Sequence, residues 1–174
     1  MTLALVLASL AAQPFASSLK VDRDVTGELW RWLTGHLVHW NTSHQLWDVV
    51  MTAVFGIWLE RLSRRAMMIA VVLALLYGSM VFATVETDLA TYRGLSGIAC
   101  GLVAACGVVL WQRGDLLASL VLLVGLVAKV LGEVIAGDAL FVDGTFESLP
   151  SVHIAGAAAG IVATFCRGRP GDER

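Results

Sequence analysis

Apolar residues run along this chain in six long blocks separated by short polar links. The blocks cover about residues 1–16, 36–59, 66–85, 91–111, 116–136 and 149–166. A stretch of roughly 20 mostly apolar residues is what an α-helix needs to cross a bilayer. Pro14, Pro150 and Pro170 all stand at block borders, where a helix tolerates proline. The pattern predicts an all-α, polytopic membrane protein: one domain over residues 1–174, built as a bundle of six transmembrane helices.

Composition agrees. Hydrophobic residues make up 57% of the chain and charged residues only 15%, with a mean hydropathy of +0.77. A soluble domain carries about 25% charged residues. The net charge of -2 and the lack of a basic, aromatic stretch speak against a nucleic-acid partner. Cys100, Cys106 and Cys166 lie in apolar stretches without metal-ligand spacing and read as small apolar side chains.

Charge placed between the blocks orients them. Arg61, Arg64 and Arg65 follow the second block, Arg113 the fourth, and Arg167, Arg169 and Arg174 the sixth. The alternate links are acidic or mixed: Asp22, Asp24 and Glu28, then Glu86 and Asp88, then Asp138, Asp143 and Glu147. Basic links stay on the cytoplasmic side, so both termini are expected there, with spans two, four and six running from outside to inside. The first block reads as a span. Its apolar run and the small residues at Ala11 and Ala12 also fit a signal peptide, although the usual positive n-region is missing.

Four polar groups then share a depth. Ser96 lies 17 residues before Arg113, His153 lies 14 before Arg167, and Asp48 lies 13 before Arg61. At the helical rise these separations are about 25, 21 and 20 Å. His44 is one turn further out. All four sit in the outer part of the membrane on helices that point the same way. Ionisable groups there are costly and mark functional sites. Gly156 and Gly160 follow His153 at i+3 and i+7 on one helical face, and Gly97 and Gly101 form a small-xxx-small pair beside Ser96. Such faces let membrane helices approach closely, close enough for a serine hydroxyl and an imidazole to meet.

A serine hydroxyl becomes a nucleophile when a base takes its proton, and His153 is the one histidine outside the second block. No acidic residue stands near it in sequence, so the economical reading is a Ser96–His153 dyad. Ser96 lies in the first turns of its helix, where unpaired N–H groups and the helix dipole favour an oxyanion. Gly94 and Gly97 leave space for a substrate carbonyl. His44 shares a helical face with Asp48 at i+4, and a neutral His44 ring can donate to the oxyanion, a contact typically worth ~3–4 kcal/mol of barrier. His36, His39, His44 and Asp48 do not place three ligands on one face, so no metal and no organic cofactor is expected. His36 and His39 read as hydrogen-bonding residues that fix the first outer loop.

These motifs, in this order, resemble the rhomboid family of intramembrane serine proteases. The resemblance covers nearly the whole chain: the spans, Trp30-Arg31 in the first outer loop, the His44 region, Gly94-Leu95-Ser96-Gly97 opening span four, His153-x2-Gly156-x3-Gly160 in span six, Glu60, and Trp111-Gln112-Arg113-Gly114. It implies Ser96 as nucleophile, His153 as general base, and His44 with the Ser96 backbone N–H as oxyanion donors. It implies cleavage in or near the transmembrane segment of a membrane-anchored protein. Leu33-Thr-Gly-His-Leu-Val-His39 and Tyr92-Arg93 look most like the bacterial rhombosortase subgroup. That likeness implies substrates with a C-terminal Gly-Gly motif, an apolar helix and a basic tail, and an inner-membrane enzyme opening to the periplasm. The rival reading is a catalytically silent rhomboid-like protein that binds membrane helices.

Two positions depart from the family pattern. Asp48 stands where many rhomboids have asparagine, and a carboxylate donates no hydrogen bond unless protonated, so it is expected either to orient His44 or to be neutral in its apolar site. Cys100 stands where many have a tyrosine against the catalytic histidine, which leaves the support of His153 to another residue. Lys129 and Glu133 are at i and i+4 in span five and read as a local ion pair near its outer end. The stretch 137–150, with Phe141, Phe146 and Leu149, reads as an apolar flap over the dyad.

Overall fold

Side-chain caps and one left-handed glycine decide where the helices begin. The structure is a computed structural model that describes residues 1–24, 27–139 and 148–166. The chain opens with α1 (Thr2–Ala12), a 3₁₀ turn (Gln13–Phe15) and the short α2 (Ala16–Leu19). Strand β1 (Val21–Asp22), the single turn α3 (Arg31–Thr34) and a second 3₁₀ turn (Gly35–Leu37) form the first outer connection. Then comes α4 (Thr42–Leu62), six residues later than the apolar pattern predicts, because the Asn41 side chain accepts the His44 N–H at 2.8 Å and caps it there. Ser63 caps α5 (Arg64–Thr84) through the Ala66 N–H. Strand β2 (Thr91–Tyr92) follows, and Gly94 at φ +136° turns the chain into α6 (Ser96–Gln112). The predicted fourth span therefore loses residues 91–95 to a strand and a turn, and Ser96 becomes the first residue of its helix. Asp115 caps α7 (Leu116–Ala136), and α8 (Pro150–Phe165) starts on a proline, which suits a first turn.

The two strands pair antiparallel, Val21 with Tyr92 and Asp22 with Thr91, a small exception to the all-α expectation. Among the described residues three helical segments are long and apolar enough to cross a membrane: Thr2–Leu19, Arg64–Thr84 and Leu116–Ala136. α6 and α8 are apolar but shorter, at 17 and 16 residues. The outer surface carries large apolar side chains in numbers that water would not tolerate, such as Leu117, Val121 and Ile135 on α7. The protein is an integral membrane protein.

α6 occupies the centre, with 13 of its 17 residues buried, and α4, α5, α7 and α8 pack around it. Its closest neighbour is α8. A Cβ added at Gly156 would lie 1.9 Å from the Gly97 carbonyl oxygen, and one at Gly160 would lie 1.9 Å from that of Gly101. At one end of the bundle, Glu60 accepts the Thr2 N–H at 3.0 Å and the Thr2 hydroxyl at 2.8 Å, tying α1 to α4. At the other end, Arg31 reaches the carbonyls of Ser17 and Lys20, so the Trp30-Arg31 pair braces the first connection.

Beneath that connection a buried polar chain runs between elements. The Ser79 hydroxyl donates to the Trp32 carbonyl at 2.8 Å. His36 Nε2 lies 3.0 Å from Ser79 Oγ, and His36 Nδ1 lies 3.0 Å from the Tyr92 hydroxyl. Tyr92 also reaches the Gly94 carbonyl at 2.9 Å. His36 lies in the 3₁₀ turn outside the spanning helices, and complete burial pulls its pKa down to about 4. The apolar flap expected at 137–150 falls mostly on residues 140–147, outside the described residues, as do the basic residues beyond 166.

Two predictions follow from this packing. Gly156→Ala must push α8 off the Gly97 backbone and lowers the thermal midpoint in detergent, with a cost of about 1–3 kcal/mol or more. Gly125→Ala on α7, where a Cβ meets nothing within 4 Å, causes no such loss. For His36 the folded pKa lies below the unfolded value, so the unfolded chain binds the proton first as pH falls. Its contribution to stability is therefore complete above about pH 6.5 and is lost towards pH 4. Thermal midpoints measured between pH 7.5 and 4.5 fall more steeply for wild type than for His36→Gln.

Candidate active site

Ser96 opens α6 two residues after the left-handed Gly94, with Leu95 between them as the N-cap, so the sharp turn and the helix start fix where its hydroxyl points. Its own N–H and those of the next two residues lie in the first turn, before the Ala99 N–H bonds the Leu95 carbonyl, and so have no acceptor within the helix. His153 sits in the first turn of α8, where its N–H bonds the Leu149 carbonyl. The glycine-to-backbone contact between α6 and α8 brings the two side chains together: Ser96 Oγ and His153 Nε2 are 2.9 Å apart. Ser96 is half-buried and His153 is buried.

The other ring nitrogen of His153 meets two residues of α7. Glu133 Oε2 lies 2.8 Å from His153 Nδ1 and Lys129 Nζ lies 2.9 Å from it. Lys129 and Glu133 are themselves 2.8 Å apart, the i,i+4 ion pair read from the sequence. Their reach to His153 was not read there. Glu133 is an acidic partner that sequence proximity alone does not reveal, because 20 residues separate it from the histidine. A signal did exist. A lysine and a glutamate in an otherwise apolar span are expensive and need a polar partner, and His153 is one of the four polar residues at that depth. Cys100, one turn after Ser96, lies under them, with Lys129 Nζ 4.0 Å from its sulfur.

On the opposite side, Asp48 gathers two imidazoles. His44 Nε2 and His39 Nε2 each lie 3.2 Å from Asp48 Oδ2. His39 Nε2 accepts the Leu95 N–H at 3.4 Å, next to the serine, so that nitrogen has no proton for Asp48, and His44 is the ring placed to donate to the carboxylate. The Cε1–Nε2 edge of the His44 ring lies against the glycine turn: a Cβ at Gly94 would lie 3.0 Å from both atoms. His36, by contrast, points away into the Ser79–Tyr92 chain and takes no part in this cluster. Gly97 faces Val152, and a Cβ there would lie 3.0 Å from Val152 Cγ1. Gly101, Gly156 and Gly160 lie deeper along the same α6–α8 seam, as contact surface and not as site walls.

Ser96, His153, His44 and Asp48 open into one cavity of about 660 Å³ between α4 and α7. Trp47, Met51 and Phe55 line it from α4, and Val121, Leu122 and Leu126 from α7. Its walls are apolar and its polar groups gather at the serine end. Arg93, at the rim, lies over the Trp40 ring at 4.5 Å. The apolar walls and the polar serine end give the cavity the make-up of a ligand site.

No curated protein matches the chain. The family model for the Rhomboid domain matches residues 26–170, which takes in the outer connection, the serine turn and both glycine-lined helices, and the chain belongs to the rhomboid family, whose members are in general intramembrane serine proteases.

Proposed function

We propose that this protein is an active intramembrane serine endopeptidase that cleaves a membrane-anchored protein in or near its transmembrane segment, with Ser96 as nucleophile and His153 as general base. The observation that carries the proposal is the 2.9 Å approach of Ser96 Oγ to His153 Nε2 at the end of an apolar cavity between α4 and α7. The Ser96 oxygen attacks the scissile carbonyl carbon while its proton passes to Nε2. The oxyanion that forms is met by first-turn N–H groups of α6, and by the His44 ring as it turns from Asp48. Collapse of the intermediate breaks the C–N bond, and Nε2 returns the proton to the leaving amine. Water then repeats the sequence on the acyl-enzyme ester and frees Ser96. No step calls for a metal or an organic cofactor.

The wider reading belongs to the same proposal. The chain crosses the bilayer six times as one domain, with both termini in the cytoplasm and the serine opening towards the periplasmic side of a bacterial inner membrane. Its substrates are exported proteins with a C-terminal Gly-Gly motif, an apolar helix and a basic tail. The apolar cavity suits the helix of such a tail. A Gly-Gly segment, free of side chains, can bring its backbone close to Ser96 past Trp40, Arg93 and His44, which line the same cavity.

Co-expression with a tailed substrate tests this. Ser96→Ala and His153→Ala each reduce processing by about 10³-fold or more at unchanged expression. Processing that survives Ser96→Ala refutes the serine reading, and a silent wild type with both tailed and generic membrane substrates favours the non-catalytic rival. Gly94→Ala carries a separate expectation. It places a Cβ in a left-handed conformation and against the His44 ring, so processing falls at least about tenfold while the protein remains folded by thermal unfolding in detergent.

A further inference from the structure

The geometry points to Glu133 as the positioning residue of His153, and to Lys129 as a cation that would disable the base if Glu133 did not hold it. This rests on the serine-protease reading above and deepens it from a dyad to a three-residue relay opposed by a fourth.

The argument is one of proton placement. A neutral imidazole carries one N–H. To take the Ser96 proton, Nε2 must be bare, so the ring proton must sit on Nδ1. Two groups compete for Nδ1. Glu133 Oε2, 2.8 Å away, accepts a hydrogen bond and so favours the proton on Nδ1. Lys129 Nζ, 2.9 Å away, has only protons to donate and favours a bare Nδ1, with the proton on Nε2. The second arrangement points an N–H at Ser96 and leaves no base. Lys129 and Glu133 also bind each other at 2.8 Å. While they do, Lys129 directs one of its three N–H groups at the carboxylate, and Glu133 Oε2 accepts from both Lys129 and His153. The carboxylate thus selects the working tautomer and, at the same stroke, neutralises the cation that lies beside the ring.

Charge gives the same sign. When Nε2 takes the serine proton the ring becomes an imidazolium. Beside a lone Lys129 ammonium that state is opposed, and beside the Lys129–Glu133 pair the two charges cancel. Burial makes the balance matter: Glu133 is only 2% exposed, and interactions between charges strengthen as water is excluded. The arrangement differs from a simple acid–base–nucleophile triad because removal of the acid leaves behind an active opponent, not an empty place.

The test follows from that difference. Processing of the tailed substrate, and the labelling rate of the serine by a fluorophosphonate probe, are measured for wild type, Ser96→Ala, Glu133→Ala, Lys129→Met and the double variant Glu133→Ala/Lys129→Met. Each rate is normalised to folded protein from thermal unfolding in detergent. Glu133→Ala lowers kcat and the labelling rate by roughly 10²- to 10⁴-fold, the range known for loss of a triad acid, with KM little changed. Lys129→Met alone lowers them less. The double variant recovers at least about tenfold over Glu133→Ala, because the opposing cation is gone. A residue that merely held α7 in place could not give that recovery, since the double variant removes still more of the contact. Full activity in Glu133→Ala, with Ser96→Ala dead, overturns the inference and leaves the serine reading intact. So does a double variant no faster than Glu133→Ala. Retained labelling and processing in Ser96→Ala instead removes the serine reading itself, and this inference with it.

Discussion

A methyl group on Gly156 would sit 1.9 Å from the Gly97 carbonyl oxygen, and one on Gly160 the same distance from that of Gly101. Two helices therefore touch backbone to backbone over more than one turn. In lipid no hydrophobic force drives helices together, and close packing has to supply the attraction. The glycines supply it at the one place where it also sets chemistry. Ser96 is the residue before Gly97, and His153 is one turn before Gly156. Any increase in the α6–α8 distance is passed directly to the 2.9 Å gap between Ser96 Oγ and His153 Nε2. Packing and the proposed reaction thus depend on the same separation, and neither can be altered alone.

The glycine seam fixes two helices but does not fix the turn ahead of Ser96. That task falls to the polar layer: Trp32, Ser79, His36 and Tyr92 reach in sequence to the Gly94 carbonyl. From the other side His39 accepts the Leu95 N–H and lies beside Asp48, as His44 does. Buried polar groups such as these are costly when unpaired and rigid when paired. The result is a serine whose two preceding residues are both held, one through its carbonyl and one through its nitrogen. Arg23 serves the neighbouring corner by donating to the carbonyls of Phe82, Ala83 and Glu86 at the end of α5, which would otherwise lack acceptable partners near the membrane surface.

Much of this was legible because membrane helices obey one-dimensional rules. A residue's distance from a basic border gives its depth, and i+3, i+4 spacing gives its face. Those two rules suffice to bring Ser96, His153, His44 and Asp48 to one level and to set Gly97 and Gly101 against Gly156 and Gly160. They also give Lys129 and Glu133 as a pair. They place Ser119, Lys129 and Glu133 on one face of α7, but they do not say which of the polar groups on the other helices that face meets. Spacing alone therefore does not single out Glu133 as the support of His153 that Cys100 cannot provide, although two charged residues in an apolar span signal a buried polar partner. Nor could spacing show that His39, in a connection and not in a helix, would return to Asp48. The early start assigned to the second and fourth spans came from apolar residues at 36–41 and 91–95 whose backbone is turned by Asn41 and Gly94.

The placement of α7 follows a different logic from that of α6 and α8. Towards one end it packs by shape, with Leu123 filling the space beside Gly107. Its buried residues are Ser119 and Glu133, both polar, while most of its apolar side chains face outward. The serine-side end of α7 is therefore tied to α8 mainly by Glu133 and Lys129 on His153. α7 is held by apolar packing on α6 and by polar contacts on α8, and the cavity opens between it and α4. The carboxylate that touches His153 Nδ1 therefore stands on the same helix as one wall of that cavity, so the orientation of α7 on α6 sets both the shape of the cavity and the distance from Glu133 to the ring.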